Sequence, residues 1–378
     1  MNDSEIMKIL VVDDTILYRK IVSEILSELP NVEIVGTASN GKTAISRIGS
    51  LQPDLITLDI DMPSMDGIAV LEEINRLSYD VGVIMFSSLT HEGSEMTIKA
   101  LELGAFDFIP KPELDSIEAN KQYIRQRFAP LLRSFADRRV IKKILSGQAA
   151  YKSPRREIRP AESAVSDTFP KIPAAHDKAA GRKRKSPSEV VAIGISTGGP
   201  KALAEVIPNI PATINVPILI VQHMPPLFTQ SLAKSLDSKA AVRVKEAQDG
   251  DALTPNTIFI APGGKQMRVD RRENGAKILR ICDDPPENSC KPSVDYLFRS
   301  IAEHFGEKAT GIIMTGMGSD GSLGIEAMKS RGAFIIAQDE ASCTVFGMPK
   351  RPIESGLVDL IAPLDNIAAE IINAVKQS

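Results

Sequence analysis

Residues 190–200, VVAIGISTGGP, limit what this chain can become more than any other stretch. Five of the six residues from Val190 to Ile195 are apolar, and the run then stops at Ser196-Thr197-Gly198-Gly199-Pro200. A short apolar run closed by turn residues is the pattern of a strand buried on both faces of a parallel sheet. Pro200 suits the first turn of a following helix, where its missing N–H has no intrahelical partner in any case. Ser196 therefore stands where a strand gives way to a helix, among small neighbours that leave the backbone open to a ligand. Such a position serves a nucleophile, and it serves equally a phosphate-binding or purely structural glycine turn. A base and an acid nearby would decide between them.

The first half of the chain repeats the alternation. Strands are predicted at Lys8 to Val12, Val32 to Ala38, Asp54 to Leu58, Val83 to Phe86 and Phe106 to Ile109. Between the first two, Ile16, Leu17, Ile21, Val22, Ile25, Leu26 and Leu29 recur at helical spacing. Strands alternating with helices give a doubly wound parallel sheet, whose working site lies beyond the carboxyl ends of its strands. Asp13, Asp14, Asp59, Ser87 and Lys111 all fall at those ends. Any one of the aspartates alone would serve as a helix cap. Together, three crowded carboxylates call for a hard cation with oxygen ligands, such as magnesium. A carboxylate beside such a metal can accept a phosphoryl group, Lys111 can neutralise the added charge, and Ser87 can donate a hydrogen bond to it.

After Ala119 a long helical pattern runs to about Leu145, interrupted by Pro130. Residues 146–188 then lose periodicity and become rich in Pro, Ser, Ala, Lys and Arg, the composition of a mobile tether. Its GRKRKS run, residues 181–186, could touch nucleic acid or anionic lipid, but such a run is more often a solvated part of a tether, and that is the expectation here.

From Val190 the second α/β alternation begins, with strands at Val190 to Ile195, Pro217 to Gln222, Thr257 to Ala261, Thr310 to Thr315 and Ala333 to Ala337. Asn274-Gly275 between Met267 to Arg272 and Lys277 to Ile281 marks an antiparallel hairpin on this mostly parallel sheet. The chain has four histidines: His91, His176, His223 and His304. His91 falls in the first α/β segment, His176 in the tether, and His304 in the helical pattern DYLFRSIAEHF. His223 ends the strand PILIVQ at the sheet edge that carries Ser196, which makes it the candidate base. Asp320, in GMGSDG after the strand TGIIMT, reaches the same edge and can orient an imidazole, or merely cap the next helix. Gly194-x-Ser196-x-Gly198 formally matches the nucleophile elbow of α/β-hydrolases, but that fold orders its triad Ser, acid, His. Here the order is Ser, His, acid, so a different hydrolase architecture is indicated.

VVDDT, LDIDMPSMDG, MFSSLT and FIPKP resemble the receiver domain of two-component response regulators over roughly residues 5–128. GISTGGP, VQHMPP, IAPGG, KPSVDYLFRS and TGMGSDG resemble the catalytic domain of the chemotaxis protein-glutamate methylesterases, from about Val190 onward. The resemblance implies two doubly wound, mostly parallel α/β domains joined by a flexible linker. A flavodoxin-like receiver at 1–128 would be followed by a helical extension and linker at 129–187. A larger Rossmann-like hydrolase domain would then occupy 188–378. It implies Asp59 as phosphoacceptor, Asp13 and Asp14 as the acidic magnesium pocket with a backbone contact at Asp61, and Ser87 and Lys111 as sensors of the phosphoryl group. It implies Ser196 as nucleophile, His223 as base, Asp320 as its orienting acid, Thr197 at the site, and the Met317 N–H in the oxyanion hole. The expected reaction is hydrolysis of receptor glutamyl methyl esters to methanol, without a cofactor, and deamidation of receptor glutamines. The implied partners are methyl-accepting chemotaxis receptors and a histidine kinase as phosphodonor.

Three positions depart from the family pattern: Thr15 where many receivers have Ser, Ile195 before the serine, and Gln266 where IAPGG is often followed by His. Neither of the last two is expected to touch the triad, though both could alter substrate fit. A DNA-binding regulator would share the receiver, but the second half shows no recognition-helix signal and the net charge is −3; no nucleic-acid partner is expected. A docking scaffold would need no triad. No run of about 18 apolar residues is present and Met1 to Lys8 lacks a signal-peptide core, so a cytoplasmic protein with no membrane insertion is expected. Three cysteines without C-x-x-C spacing argue against a disulfide or zinc framework.

Overall fold

Two parallel sheets organise the chain, each built from the apolar runs of its own half. The computed structural model describes residues 6–112, 115–145 and 186–376. Nearly all of the expected tether, including the GRKRKS run up to residue 185, lies outside the described residues.

The first sheet comprises β1 (Met7–Val12), β2 (Val32–Ala38), β3 (Leu55–Asp59), β4 (Gly82–Ser87) and β5 (Asp107–Pro110), all parallel in the order β2-β1-β3-β4-β5. Helices α1 (Ile16–Ser27), α2 (Gly41–Leu51), α3 (Gly67–Arg76), α4 (His91–Glu102) and α5 (Ile117–Leu145) cover it. Asp59 is the last residue of β3 rather than the first beyond it, which draws its carboxylate into the sheet edge. Helix α5 runs unbroken through Pro130 and past residue 128, where the sequence suggested the receiver would end. Its Ile124, Phe128, Leu131, Leu132 and Phe135 are buried against the sheet. Each such side chain contributes about 1.5–3 kcal/mol by leaving water, more than a proline inside a helix costs when several act together.

The second sheet has seven parallel strands: β6 (Val190–Ile195), β7 (Ile218–Gln222), β8 (Arg243–Glu246), β9 (Thr257–Ile260), β12 (Ala309–Ile313), β13 (Phe334–Gln338) and β14 (Leu360–Ala362). Their order is β14-β13-β12-β6-β7-β9-β8. The predicted hairpin is β10 (Gln266–Arg271) and β11 (Lys277–Cys282), a separate antiparallel pair. Helices α6 (Gly199–Val206), α7 (Phe228–Asp237), α8 (Val294–Phe305), α9 (Ser322–Ser330), α10 (Lys350–Glu354) and α11 (Leu364–Val375) complete this half. Strands β6, β7 and β12 are neighbours at the centre, so the loops leaving them converge at one edge.

The two halves pack together beside that edge. Ser94 of α4 meets Ser231 of α7 at 2.7 Å, Glu95 pairs with Lys234 at 2.9 Å, and Glu102 accepts from Ser235 and pairs with Lys239, both at 2.6 Å. The rings of Phe108 and Phe228 lie 4.6 Å apart between centroids, and Val345 joins the apolar cluster that contains Phe135 of α5. Helix α5 also supplies Arg138 to a cleft of about 620 Å³ whose far wall includes Gly198, Lys201 and Thr344.

Candidate active site and its control pocket

Ser196 follows β6 directly. Its amide donates to the Thr315 carbonyl at 3.0 Å, and its carbonyl accepts from Gly199 at 2.7 Å as the chain turns into α6. A side chain at Gly199 would strike the Gln222 amide oxygen at 1.9 Å, and one at Gly316 would meet the Ser196 Cβ at 2.8 Å. The small residues around the serine are thus required by close approach. Ser196 is not among the residues with positive φ, so the strained turn of an α/β-hydrolase elbow is absent here. The expectation from chain order holds.

His223 leaves β7 with its amide bonded to the Ile195 carbonyl at 3.2 Å. Gln222 binds both neighbours, donating to the Ser196 carbonyl at 3.0 Å and the His223 carbonyl at 3.3 Å. The imidazole Nε2 lies 2.8 Å from Asp320 Oδ2, which leaves Nδ1 on the other edge of the ring. Nδ1 is 3.8 Å from the sulfur of Cys290. Ser196 and His223 share no hydrogen bond among the described residues; catalytic bonds of this kind often close only when substrate binds. Burial works against a charge on the imidazole, but the bonds to Asp320 and Cys290 outweigh it and raise its pKa to about 9.

Asp320 is 2 % exposed, and a lone buried carboxylate would be expelled or protonated. It is not alone. Besides His223 it accepts from Ser293 Oγ at 2.9 Å, the Val294 amide at 2.7 Å, the Asp295 amide at 3.2 Å and Asn288 Nδ2 at 3.2 Å. The two amides open α8, so the carboxylate sits on the positive end of a helix dipole. Burial raises its pKa, and these bonds with the His223 partner bring it down to about 2. Sequence reasoning missed Asn288 and Gln222. For Ser293 the signal was present: a serine just before the apolar-periodic VDYLFRS is an N-cap pattern, and its hydroxyl accepts from Tyr296 N.

Gln266 is fully buried, donating to the Pro285 carbonyl at 3.0 Å and accepting from the Ser293 amide at 2.8 Å. It braces the residue that holds Asp320, so its influence on the site passes through Ser293. Ile195 is fully buried in β6. His304 lies in the last turn of α8, as expected. Thr197 gives its hydroxyl to the first half of the chain, donating to Asp107 Oδ2 of β5 at 2.6 Å. Burial pushes the Asp107 carboxyl up against that bond. Met317, after β12, packs against the cluster around Phe135 and Val345.

At the edge of the first sheet, Lys111 Nζ bridges Asp59 at 2.7 Å and Asp13 at 3.1 Å. Asp13 also accepts from the Thr15 amide at 2.8 Å and from the Thr15 hydroxyl. Asp13, Asp14 and Asp59 offer oxygens within 4.8 Å of one another. Burial and the neighbouring Asp13 raise the Asp59 pKa to about 6, against the pull of Lys111. One lysine does not offset three carboxylates, and such an all-oxygen set fits a hard divalent cation such as magnesium. Asp61 donates its amide to Asp59 at 3.3 Å. Ser87 is not joined to Asp59. Its hydroxyl donates to the Gly93 carbonyl at 3.1 Å and accepts from Thr97 at 2.6 Å.

The sequence matches the CheB methylesterase family over residues 191–371 and the response regulator receiver domain over residues 9–120. It is 48% identical over 377 residues to the protein-glutamate methylesterase/protein-glutamine glutaminase of Desulfotalea psychrophila, covering 98% of this chain and 99% of the relative. With the protein of the same name from Bacillus subtilis it is 40% identical over 373 residues, covering 98% and 99%. The crystal structure of the Thermotoga maritima CheB methylesterase catalytic domain is 41% identical, covers 49% of this chain and 98% of that one, and gives a TM-score of 0.48. With a receiver domain ahead of a CheB methylesterase domain and relatives alike over nearly its whole length, the chain belongs to the protein-glutamate methylesterase/protein-glutamine glutaminase family.

Proposed function

We propose that the chain is a phosphorylation-activated serine hydrolase that demethylates glutamyl methyl esters of methyl-accepting chemotaxis receptors. The observation that supports it most is the His223–Asp320 pair at 2.8 Å, carried by the loops after β7 and β12 on either side of the one that carries Ser196. His223 Nε2–H is held by Asp320, so the Nδ1 lone pair takes the Ser196 proton as the serine oxygen attacks the ester carbonyl. Asp320 stays ionised and steadies the imidazolium. The Met317 N–H donates to the oxyanion, a bond of the type whose loss costs roughly 3–4 kcal/mol of transition-state stabilisation. The imidazolium returns the proton to the departing methanol, and water, deprotonated by His223, then frees the glutamate. With a glutamine side chain the same steps release ammonia.

The control pocket supports a second element. Asp59 would accept the phosphoryl group from a histidine kinase, with Ser87 and Lys111 turning toward it. Asp13, Asp14, Asp59 and the Asp61 backbone would hold magnesium, which neutralises phosphoryl oxygens when bound. The receiver lies against the catalytic half through Phe108, Asp107 and α4, and while Asp59 is unphosphorylated it would partly cover Ser196 and His223. Phosphorylation would repack that surface and uncover the site. Among the described residues no helix is long and apolar enough to cross a membrane.

The test is methanol release from methylated receptors by the full chain, with and without a small-molecule phosphodonor and magnesium. Release that rises with phosphodonor in the wild type but not in Asp59→Asn is expected. Release that Ser196→Ala leaves intact would sink the hydrolase assignment.

A further inference from the structure

Cys290 takes no part in the reaction proposed above, yet its sulfur is 3.8 Å from His223 Nδ1, the lone pair on which that reaction depends. Three features make the contact a built one. Glu287 and Cys290 exchange backbone hydrogen bonds at 3.1 and 2.7 Å around Asn288 and Ser289, both with positive φ, so a tight turn fixes the sulfur. Asn288 within that turn donates to Asp320 at 3.2 Å and to Asp295 at 2.8 Å, tying the turn to the triad carboxylate. Asp320 in turn occupies Nε2, so the neutral ring keeps its proton there and turns its lone pair, at Nδ1, toward the sulfur. Ligand atoms of His223, Cys290 and Asp320 all lie within 4.8 Å of one another.

A sulfur and an imidazole nitrogen bound to one tetrahedral zinc ion, at about 2.3 and 2.0–2.1 Å, stand roughly 3.5 Å apart. The observed separation differs from this by a few tenths of an ångström, within the reach of a χ1 adjustment. A carboxylate on the far nitrogen of a ligating histidine orients the ring and raises its basicity, the place Asp320 already holds. The other two cysteines offer no comparable pair. Cys282 meets the Tyr296 hydroxyl at 3.2 Å, and burial pushes the Cys343 thiol well up.

We propose that Cys290 and His223 form a two-ligand site for a thiophilic divalent cation of the zinc class, and that its binding reversibly switches the hydrolase off. The thiol and, below about pH 9, the imidazolium Nδ1 each give a proton to solvent; the thiolate and the Nδ1 lone pair so freed bind the ion, and water fills its remaining positions. No oxidation is involved. The imidazole can then no longer accept the Ser196 proton. The inhibitory half rests on the reading of His223 as the base.

The full-length protein is titrated with cobalt(II), whose bond to a thiolate gives a near-ultraviolet charge-transfer band, and separately with zinc during ester hydrolysis. Wild type and Cys343→Ser should show the band, and Cys290→Ser should lack it. Zinc inhibition, taken against each variant's own metal-free rate and reversed by chelator, should weaken about tenfold or more in Cys290→Ser. A wild-type spectrum without the thiolate band, or one that survives Cys290→Ser, overturns the site and leaves the catalytic reading untouched. A band that depends on Cys290 with no loss of hydrolysis overturns the switch, and points to a base other than His223.

Discussion

Thr197, the residue after the candidate nucleophile, gives its hydroxyl hydrogen bond to Asp107 of the receiver at 2.6 Å. A side chain positioned by the serine's own loop is thus held by the other half of the molecule. Asp107→Ala should loosen the closed arrangement without touching the triad. A hydrogen bond to a buried acid is worth about 1–1.5 kcal/mol net, so basal methanol release should rise by roughly 5- to 10-fold without phosphodonor. Unchanged basal turnover, measured alongside a normal response of the wild type, would show that the bond is only structural.

Ser196→Ala should leave the fold intact, by circular dichroism and thermal melting, and reduce esterase activity by about 10⁴-fold. His223→Ala should be as damaging, and the double variant little worse than either, because members of one catalytic unit fail together. His304→Ala, at the end of α8, should stay close to wild type. Defects that multiplied in the double variant would place His223 outside the serine's chemistry.

The pH profile should rise on one limb. His223 must be neutral to act as a base, and its pKa stands at about 9. Activity should therefore climb as pH increases toward 9. Asp320→Asn removes the main group that holds the proton on the ring, so the limb should move to lower pH while the maximum rate falls. The same raised pKa contributes stability that is fully present below pH 6.5 and is lost as pH rises through 9. A rate limb that stays put in Asp320→Asn would contradict the coupling of the two residues.

Asp59→Asn should abolish the phosphodonor response and also stabilise the protein at neutral pH. The folded state raises this carboxyl from 3.8 to about 6, so it keeps a proton that the unfolded chain has already lost. Stability therefore falls as pH climbs from 3.8 to 6, and the ionised group remains unfavourable above that. Allowing for the lost Lys111 pair, the neutral amide should gain about 1–2 kcal/mol, read as a higher unfolding midpoint in urea at pH 7. A lower midpoint would mean that the Lys111 pair outweighs the burial of charge.

Most strands of both sheets were legible because buried parallel strands are continuous apolar runs, and β2 and β6 match their predicted spans to the residue. The two missed strands are edges. Arg243–Glu246 alternates charge with a single buried valine, and Leu360–Ala362 is three residues long. Neither carries enough apolar sequence to stand out. The candidate site was legible as residue types after strand ends, since neighbouring β12, β6 and β7 lead into Asp320, Ser196 and His223. What was not legible is the support: Asn288 in a tight turn, Gln222 facing sideways, Gln266 buried beneath Ser293. These act through tertiary distance, which no local period encodes. Gln266 shows this best, because its sequence left its effect open and its bonds to the Pro285 carbonyl and the Ser293 amide make it a brace.

Helix α5 has a practical consequence for dissecting the molecule. A receiver cut at residue 128, where its sheet is already complete, would sever a helix whose Leu131, Leu132 and Phe135 still belong to that sheet's core. The severed catalytic piece would carry those side chains as a sticky, unpaired stub, and the receiver would be left with a gap where Phe135 packs edge-on against Phe106. The inherited boundary between the two domains and the folding boundary are therefore different places on the chain. Protease should find no purchase between residue 128 and the end of α5.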